Sequence, residues 1–200
     1  AKPIRDGALA IDEVNDHDSL INEIYAACKL QMIEADTMIS EAGLGQFEIN
    51  LVHSHDAMKA ADDAAFFKQI AKGVARKYGL AASFMAKPYA DRPGNGMHLH
   101  ISLLDGKGKN VFDDGSDAGS PILGHALAGA LAGLADSMLI FAPHQNSYRR
   151  FAIESHAPMA VCWGYENRTA ALRVPLGLPS QRRIEHRVSG ADANPYLVLA

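Results

Sequence analysis

The apolar residues of this chain recur with two different periods, and the longer period marks helices. Residues 18 to about 38 repeat apolar side chains every three or four positions, with Asp18 or Ser19 as the N-cap. Residues 57–78 show the same spacing, and Gly79 is a natural stop after them. Two long helices are therefore predicted in the first eighty positions.

Apolar residues at every second position predict strands, because successive strand side chains point to opposite faces. The predicted strands are residues 46–52, 82–86, 98–102, 159–163, 170–174 and 184–188. Residues 103–112 are predicted to form a hairpin that turns at Asp105, Gly106 and Gly108. A third helix opens at Pro121, and residues 192–200 begin another. The pattern indicates an α+β fold, a mostly antiparallel sheet with helices packed outside.

The composition is that of a globular protein, with 48% hydrophobic and 21% charged residues. A formal net charge of −4 argues against nucleic-acid binding, which usually needs a basic surface. Residues 122–141 approach the length of a membrane span, but His125 and Asp136 interrupt them, which favours a packed core helix. We expect no signal peptide, and we interpret Cys28 and Cys162 as buried thiols of a cytoplasmic protein.

The segment KPYADRPGNGMHLHIS, residues 87–102, carries the most concentrated chemistry. His98, His100 and Ser102 alternate along a predicted strand, so they share one face of the sheet. Gly94 and Gly96 precede them and would let a ligand approach the backbone closely. This arrangement suits a metal-assisted site for an anionic substrate, although a strand histidine is often structural.

Carboxylates and arginines supply the other candidates. Glu41 and Glu48 flank a glycine turn and are hard oxygen ligands suited to Mg²⁺ or Mn²⁺, or else ordinary surface carboxylates. Glu185 and Arg187 share one strand face, which places a carboxylate beside a cation. The arginines match phosphate or carboxylate in a bidentate way; they are Arg149, Arg150, Arg168, Arg173, Arg182, Arg183 and Arg187. A structural lattice of salt bridges is the alternative.

Several blocks of the chain, in the same order, resemble the glutamine synthetase family. Residues 87–102 resemble its ATP-binding motif, with Lys-Pro, a Gly-rich turn and His-x-x-x-Ser. GLGQFEINL resembles its metal-carboxylate strand, and further matching blocks are NSYRRF, ENRTAALRVP, RRIEHR and DANPYLVLA. The resemblance runs from about Glu41 to Ala200.

The resemblance implies a ligase of nitrogen metabolism. Members phosphorylate the γ-carboxylate of glutamate with ATP, and ammonia or an amine then displaces the phosphate. Their active sites lie between subunits of ring-shaped homo-oligomers, and a dodecamer is expected. Residues 1–200 are expected to be part of the catalytic domain, truncated at both ends, without the small N-terminal domain and C-terminal helices. Such a fragment is expected to have no appreciable activity alone.

The resemblance also implies roles for individual residues. It suggests two metal sites, one held by Glu41 and Glu48 and the other by His98 and Glu185. The residues that it places at ATP are His100, Ser102, Arg173 and Arg183. Those that it places at glutamate are Gly94, Arg150, Arg168 and Arg187. Those that it implies in catalysis are Arg150, Arg168 and His156.

Two departures from the family pattern bear on the substrate. Ammonia-using members have Glu-Ala-Pro where this chain has His156 followed by Ala and Pro, and histidine offers no fixed negative charge to attract ammonium. Glu154 could partly replace this negative charge. Alternatively, His156 is a loop residue that has no effect on the choice of substrate. Pro93 replaces an asparagine common before Gly94.

These departures favour an organic amine as acceptor, as in the γ-glutamyl-polyamine and γ-glutamyl-amide ligases of the family. A glutamate–ammonia ligase is the alternative within the same chemistry. A non-catalytic relative and a guanidine phosphotransferase on the same scaffold are weaker alternatives.

Overall fold

A computed structural model describes residues 9, 11–152 and 155–200 of the 200-residue chain. The chain forms two compact units. Unit 1 contains the chain up to Phe84 together with residues 91–93 and 194–200, and unit 2 contains residues 85–90 and 94–193. Helices and sheets are present in both units, so the fold is α+β, as predicted.

Unit 1 packs helices against a two-stranded sheet. Its elements are α1 (Ile11–Asp16), α2 (Asp18–Leu30), β1 (Ala35–Ser40), β2 (Phe47–Leu51), α3 (Ala57–Lys77) and, from the end of the chain, α7 (Pro195–Leu199). β1 and β2 are antiparallel. The core lies between the apolar faces of α2 and α3, where Ile24, Cys28, Ile70 and Val74 are buried together.

The helix predicted over residues 18–38 ends eight residues early, so that boundary was wrong. Met32 adopts a positive φ of 55°, which breaks the helical path. The amide of Ile33 donates to the carbonyl of Cys28 at 2.9 Å, and that of Met32 to Lys29 at 3.1 Å. This pair of hydrogen bonds is a Schellman motif, which usually requires glycine at the position of Met32. The helix therefore ends here, and the chain continues into β1 at Ala35.

The helix predicted over residues 57–78 is confirmed as α3. The Asp56 carboxylate accepts hydrogen bonds from the amides of Met58 and Lys59, which satisfies the open helix N-terminus. Gly79 takes a positive φ of 69° just after the helix. The predicted helix at the end of the chain is also confirmed, as α7, with the Asn194 side chain as its cap.

Unit 2 is built on a four-stranded sheet. Its elements are β3 (Leu99–Ile101), α4 (Pro121–Leu134), α5 (Met138–Phe141), α6 (Gln145–Tyr148), β4 (Trp163–Tyr165), β5 (Leu172–Val174) and β6 (Ile184–His186). The strand order is β3-β6-β5-β4, and only the β4–β5 pair is parallel. Leu123 and Leu127 of α4 pack on the apolar side of this sheet, which leaves its other side for polar residues. The mostly antiparallel sheet is therefore as predicted.

Several predicted boundaries differ from the structure. Residues 82–86 form no strand, and the strand predicted at residues 159–163 lies at β4 instead. The predicted hairpin contains a single isolated bridge between Leu104 and Asn110, and the Asp105 carboxylate holds its turn through two backbone amides. Residues 122–141 are divided between α4 and α5.

The predictions about a membrane span and about buried thiols can both be compared with the structure. In the part of the chain that the structure describes, no helix has the length and apolar character needed to cross a membrane. Cys28 is fully buried, whereas Cys162 is only partly buried, so the prediction of a buried thiol was wrong for Cys162.

Candidate functional site

The polar face of the unit 2 sheet is centred on the carboxylate of Glu185. Glu185 lies on β6 directly opposite His100 of β3 and Arg173 of β5, so all three side chains share one face. Arg187 and His98 lie just beyond the ends of β6 and β3, two positions from Glu185 and His100, and both side chains reach Glu185 on this face. The alternation read from the sequence has placed five of the predicted side chains together.

Glu185 is held by cations on both of its oxygens. Arg173 donates to Oε2 at 2.7 Å, and Arg187 donates to Oε1. The Nδ1 atom of His98 lies 3.3 Å from the same Oε1. Glu185 is only 2% exposed. Its burial is tolerated because both oxygens have charged partners.

Charge and burial set the ionisation of this group. Burial raises the pKa of Glu185, but the positive charge of Arg187 and the hydrogen bond from Arg173 outweigh it and hold the pKa below its usual value. Burial, together with the charge of Arg187, lowers the pKa of His98 to about 3. At neutral pH the site therefore holds a carboxylate beside an uncharged imidazole, the forms that bind metal ions.

Arg150 lies buried beneath the glycine-rich loop. Its two terminal nitrogens donate to the carbonyls of Val188 at 2.7 Å and Arg187 at 3.0 Å. A Cβ atom at Gly96 would lie 2.9 Å from Nη2 of Arg150, and one at Gly94 would lie 2.6 Å from a carbonyl oxygen of the chain. Both glycines are required for this close packing, so Arg150 supports the loop and the end of β6.

The other residues assigned to the nucleotide lie towards the open side of the face. Nε of Arg183 donates to Nδ1 of His100 at 2.9 Å, which leaves the proton of a neutral His100 on Nε2. Burial lowers the pKa of His100, which favours this neutral form. Ser102 is exposed just beyond β3. Arg168, which was assigned to glutamate, is also exposed, and its backbone carbonyl accepts a hydrogen bond from Nε of Arg187 at 3.0 Å.

Three polar residues that lie on this face or hydrogen-bond the segments around it were not singled out from the sequence. Glu166 accepts a hydrogen bond from Arg173 at 2.8 Å. Asn146 accepts from the amide of Lys87 and donates to its carbonyl, each at 2.9 Å. Asp192 accepts from Ser147 at 2.6 Å. Each lies in a block that resembles the family, but residue type and spacing give no signal for these contacts.

The other predicted metal pair belongs to unit 1. Glu41 follows β1, and its amide donates to the carbonyl of Gln46 at 2.8 Å, which closes the glycine turn. Glu48 lies on β2, opposite Ile39, and is half-buried. The amide of Gly45 in this turn donates to the carboxylate of Glu13 at 2.5 Å.

His156 is exposed and follows the undescribed residues 153 and 154, so Glu154 lies outside the described residues.

The donors of unit 2 fit part of a divalent metal site. Two ligands at right angles on Mg²⁺ would be about 3 Å apart, given bonds of about 2.1 Å. The 3.3 Å between His98 Nδ1 and Glu185 Oε1 matches such a pair. Each carboxylate oxygen can also accept a second partner, so the arginine contacts do not exclude a cation. Among residues 9, 11–152 and 155–200, no three His, Cys, Asp or Glu side chains converge to hold a metal ion.

A sheet face with one carboxylate, two imidazoles and several guanidinium groups has the chemistry to hold a polyanion together with a divalent cation. The chain belongs to the glutamine synthetase family, because the model of the glutamine synthetase catalytic domain matches residues 2–200.

Curated relatives and solved structures agree with this membership. Gamma-glutamylputrescine synthetase PuuA of Escherichia coli (strain K12) is 44% identical over 191 residues, which cover 96% of this chain and 40% of the relative. Glutamate–isopropylamine ligase of Pseudomonas sp is 40% identical over 190 residues, covering 92% of this chain and 41% of the relative. A solved complex of GmaS with ADP has a TM-score of 0.87 at 31% identity and covers 100% of this chain and 47% of GmaS. The chain thus spans less than half the length of these relatives.

Proposed function

We propose that this protein is an ATP-dependent ligase that joins the γ-carboxylate of glutamate to an organic amine through a γ-glutamyl phosphate. The observation that carries the proposal is the buried Glu185 carboxylate, held ionised among Arg173, Arg187 and the neutral His98. Phosphoryl transfer needs cations fixed around the phosphate oxygens, and this face supplies them on rigid strands.

Each residue assigned from the sequence has a proposed role. His98 and Glu185 hold one divalent ion, and Glu41 and Glu48 hold a second; such ions neutralise charge on the transferring phosphoryl group. Arg173 and Arg183 bind the ATP phosphates, with His100 and Ser102 beside the nucleotide. Arg150, Arg168 and Arg187 handle glutamate, with Gly94 in the loop that covers it. Because Arg150 donates to the carbonyls of Arg187 and Val188 and packs against Gly94 and Gly96, its proposed contribution to glutamate binding is to support the loop and the end of β6.

The proposed acceptor is an organic amine. The names of three relatives include putrescine, isopropylamine and ethanolamide. At the exposed position 156 this chain has histidine, which provides no permanent negative charge for ammonium. A primary amine carries its own apolar carbons, so its binding depends less on a fixed charge.

An acceptor panel tests this proposal. The full-length protein would be assayed for phosphate release with ATP, glutamate and Mg²⁺, against putrescine, isopropylamine, ethanolamine and ammonia at equal concentrations. We expect at least one amine to give a rate about tenfold above that of ammonia, the size of one lost charge contact. The highest rate with ammonia would contradict the proposal.

Substitution of His156 provides the matched comparison. His156→Glu should lower KM for ammonia, and His156→Asn should not, because only the first adds a negative charge. Equal behaviour of the two variants would show that position 156 does not select the acceptor.

A glutamate–ammonia ligase is the second candidate. The glutamine synthetase of Thermococcus kodakarensis is 42% identical over 173 residues, close to the value for the amine ligases. The same panel decides between them. In either case we propose a cytoplasmic homo-oligomeric ring, a dodecamer, and sedimentation of the full-length protein would test the number of subunits.

A further inference from the structure

Glu166 has an unusual backbone conformation next to the arginines of the site. Its φ is +50°, a region that residues other than glycine rarely occupy. A side chain there strains the backbone, and such residues persist where the surrounding contacts hold them in place. The contacts of Glu166 therefore indicate what this conformation achieves.

Three hydrogen bonds hold Glu166 in place. Its amide donates to the carbonyl of Val174 at 3.1 Å, just beyond the end of the parallel β4–β5 pair. Its carboxylate accepts from Arg173 at 2.8 Å and from the amide of Leu176. These two bonds also hold the pKa of Glu166 below its usual value, with Arg173 as the larger cause. One carboxylate thus links the end of β5 to the loop that follows.

Arg173 is held at both ends by carboxylates. Nη1 donates to Glu185 at 2.7 Å and Nη2 donates to Glu166 at 2.8 Å. Its Nε atom is buried without a hydrogen-bond partner among the residues the structure describes. Without Glu166, the guanidinium would keep one anchor and could rotate about it.

We propose that Glu166 is a positioning residue for phosphate binding. It fixes the guanidinium of Arg173 and the first residues of the loop after β5 in one geometry, so that Arg173 meets a phosphate group without reorganising. This inference rests on the proposed function in assigning the phosphate to ATP. The strained backbone of Glu166 brings its carboxylate within reach of both Arg173 and Leu176.

Variants at position 166 test this role. In Glu166→Gln the side-chain length is kept and the charge is lost. We expect KM for ATP to rise roughly threefold to tenfold, the effect of one partly exposed charge-assisted hydrogen bond, with kcat changed less than about twofold. Glu166→Asp should give an intermediate KM. Glu166→Gly relieves the backbone strain but loses both carboxylate hydrogen bonds, so it should bind ATP as weakly as Glu166→Gln.

Direct binding separates this inference from the ligase assignment. Calorimetry with ADP and with inorganic tripolyphosphate should show the same threefold to tenfold loss in Glu166→Gln, whether or not turnover is seen. Glu23→Gln, which breaks an exposed ion pair with Lys77 in unit 1, is the matched control and should bind both probes normally.

Each outcome is decisive. A native protein that binds tripolyphosphate but forms no amide would reject the proposed ligase and leave the role of Glu166 supported by the weaker binding of Glu166→Gln. Native affinity and native KM in Glu166→Gln or Glu166→Gly would overturn the positioning role, and Glu166 would then only close a turn.

Discussion

At the scale of single residues, the buried charge balance around Glu185 has a consequence for stability. Removal of its charge by Glu185→Gln would leave Arg187, which is 5% exposed, with an uncompensated buried charge. Breaking such a pair costs about 3 kcal/mol or more, and we expect a loss of this size in the free energy of unfolding measured with urea.

The exposed ion pair of Glu23 and Lys77 provides the comparison. Glu23→Gln should change the unfolding midpoint little, because solvent screens that pair. Equal effects of the two substitutions would mean that burial does not control the strength of the Glu185 network.

Some of this network could be read from the sequence and some could not. Glu185 and Arg187 alternate within one predicted strand, so period alone predicted that they share a face, and the structure confirms it. Glu166 was missed because its contact depends on a positive φ and on a loop amide. Neither feature has a signature in residue type, since glycine is the residue expected at such a φ.

At the scale of elements, the end of α2 predicts a stabilising substitution. Met32 has φ of 55° and is 79% exposed, so its side chain contributes little burial there. Met32→Gly removes a left-handed penalty of roughly 1–2 kcal/mol and adds an entropy cost of roughly 0.5–1 kcal/mol. We expect a net gain of about 0.5–1 kcal/mol in urea unfolding. Met32→Ala keeps the strain and should show no gain; equal gains would rule out this explanation.

The same element shows why helix boundaries were harder to predict than helix positions. The apolar period of α2 continues through Met32 into β1, because β1 also places apolar side chains towards the core. The chain changes direction through backbone hydrogen bonds, which no side-chain pattern records. Three-residue strands such as β4 are too short for a period of two to fix their ends.

At the scale of the whole molecule, the apolar pattern predicted the α+β class. Three of the family blocks, residues 87–102, ENRTAALRVP and RRIEHR, contain strands β3, β5 and β6 of the polar sheet face. The division into two units was not predicted. The chain passes between the units four times, after Phe84, Ala90, Pro93 and Ala193. Such a division depends on contacts between distant positions, which local patterns do not encode.

This division predicts how the end of the chain affects unit 1. α7 returns to pack on α3, and the hydroxyl of Tyr196 donates to Asp62 at 2.5 Å, a contact across 134 positions. Tyr196→Ala removes this anchor, so α3 and α7 should open more often than in the native protein. Hydrogen exchange should then show faster amide exchange in α3 and α7, with β5 and β6 of unit 2 unchanged. Leu197→Ala, on the same short helix and half-exposed, is the control and should have a smaller effect. Equally faster exchange in β5 and β6 would show that the two units do not open separately.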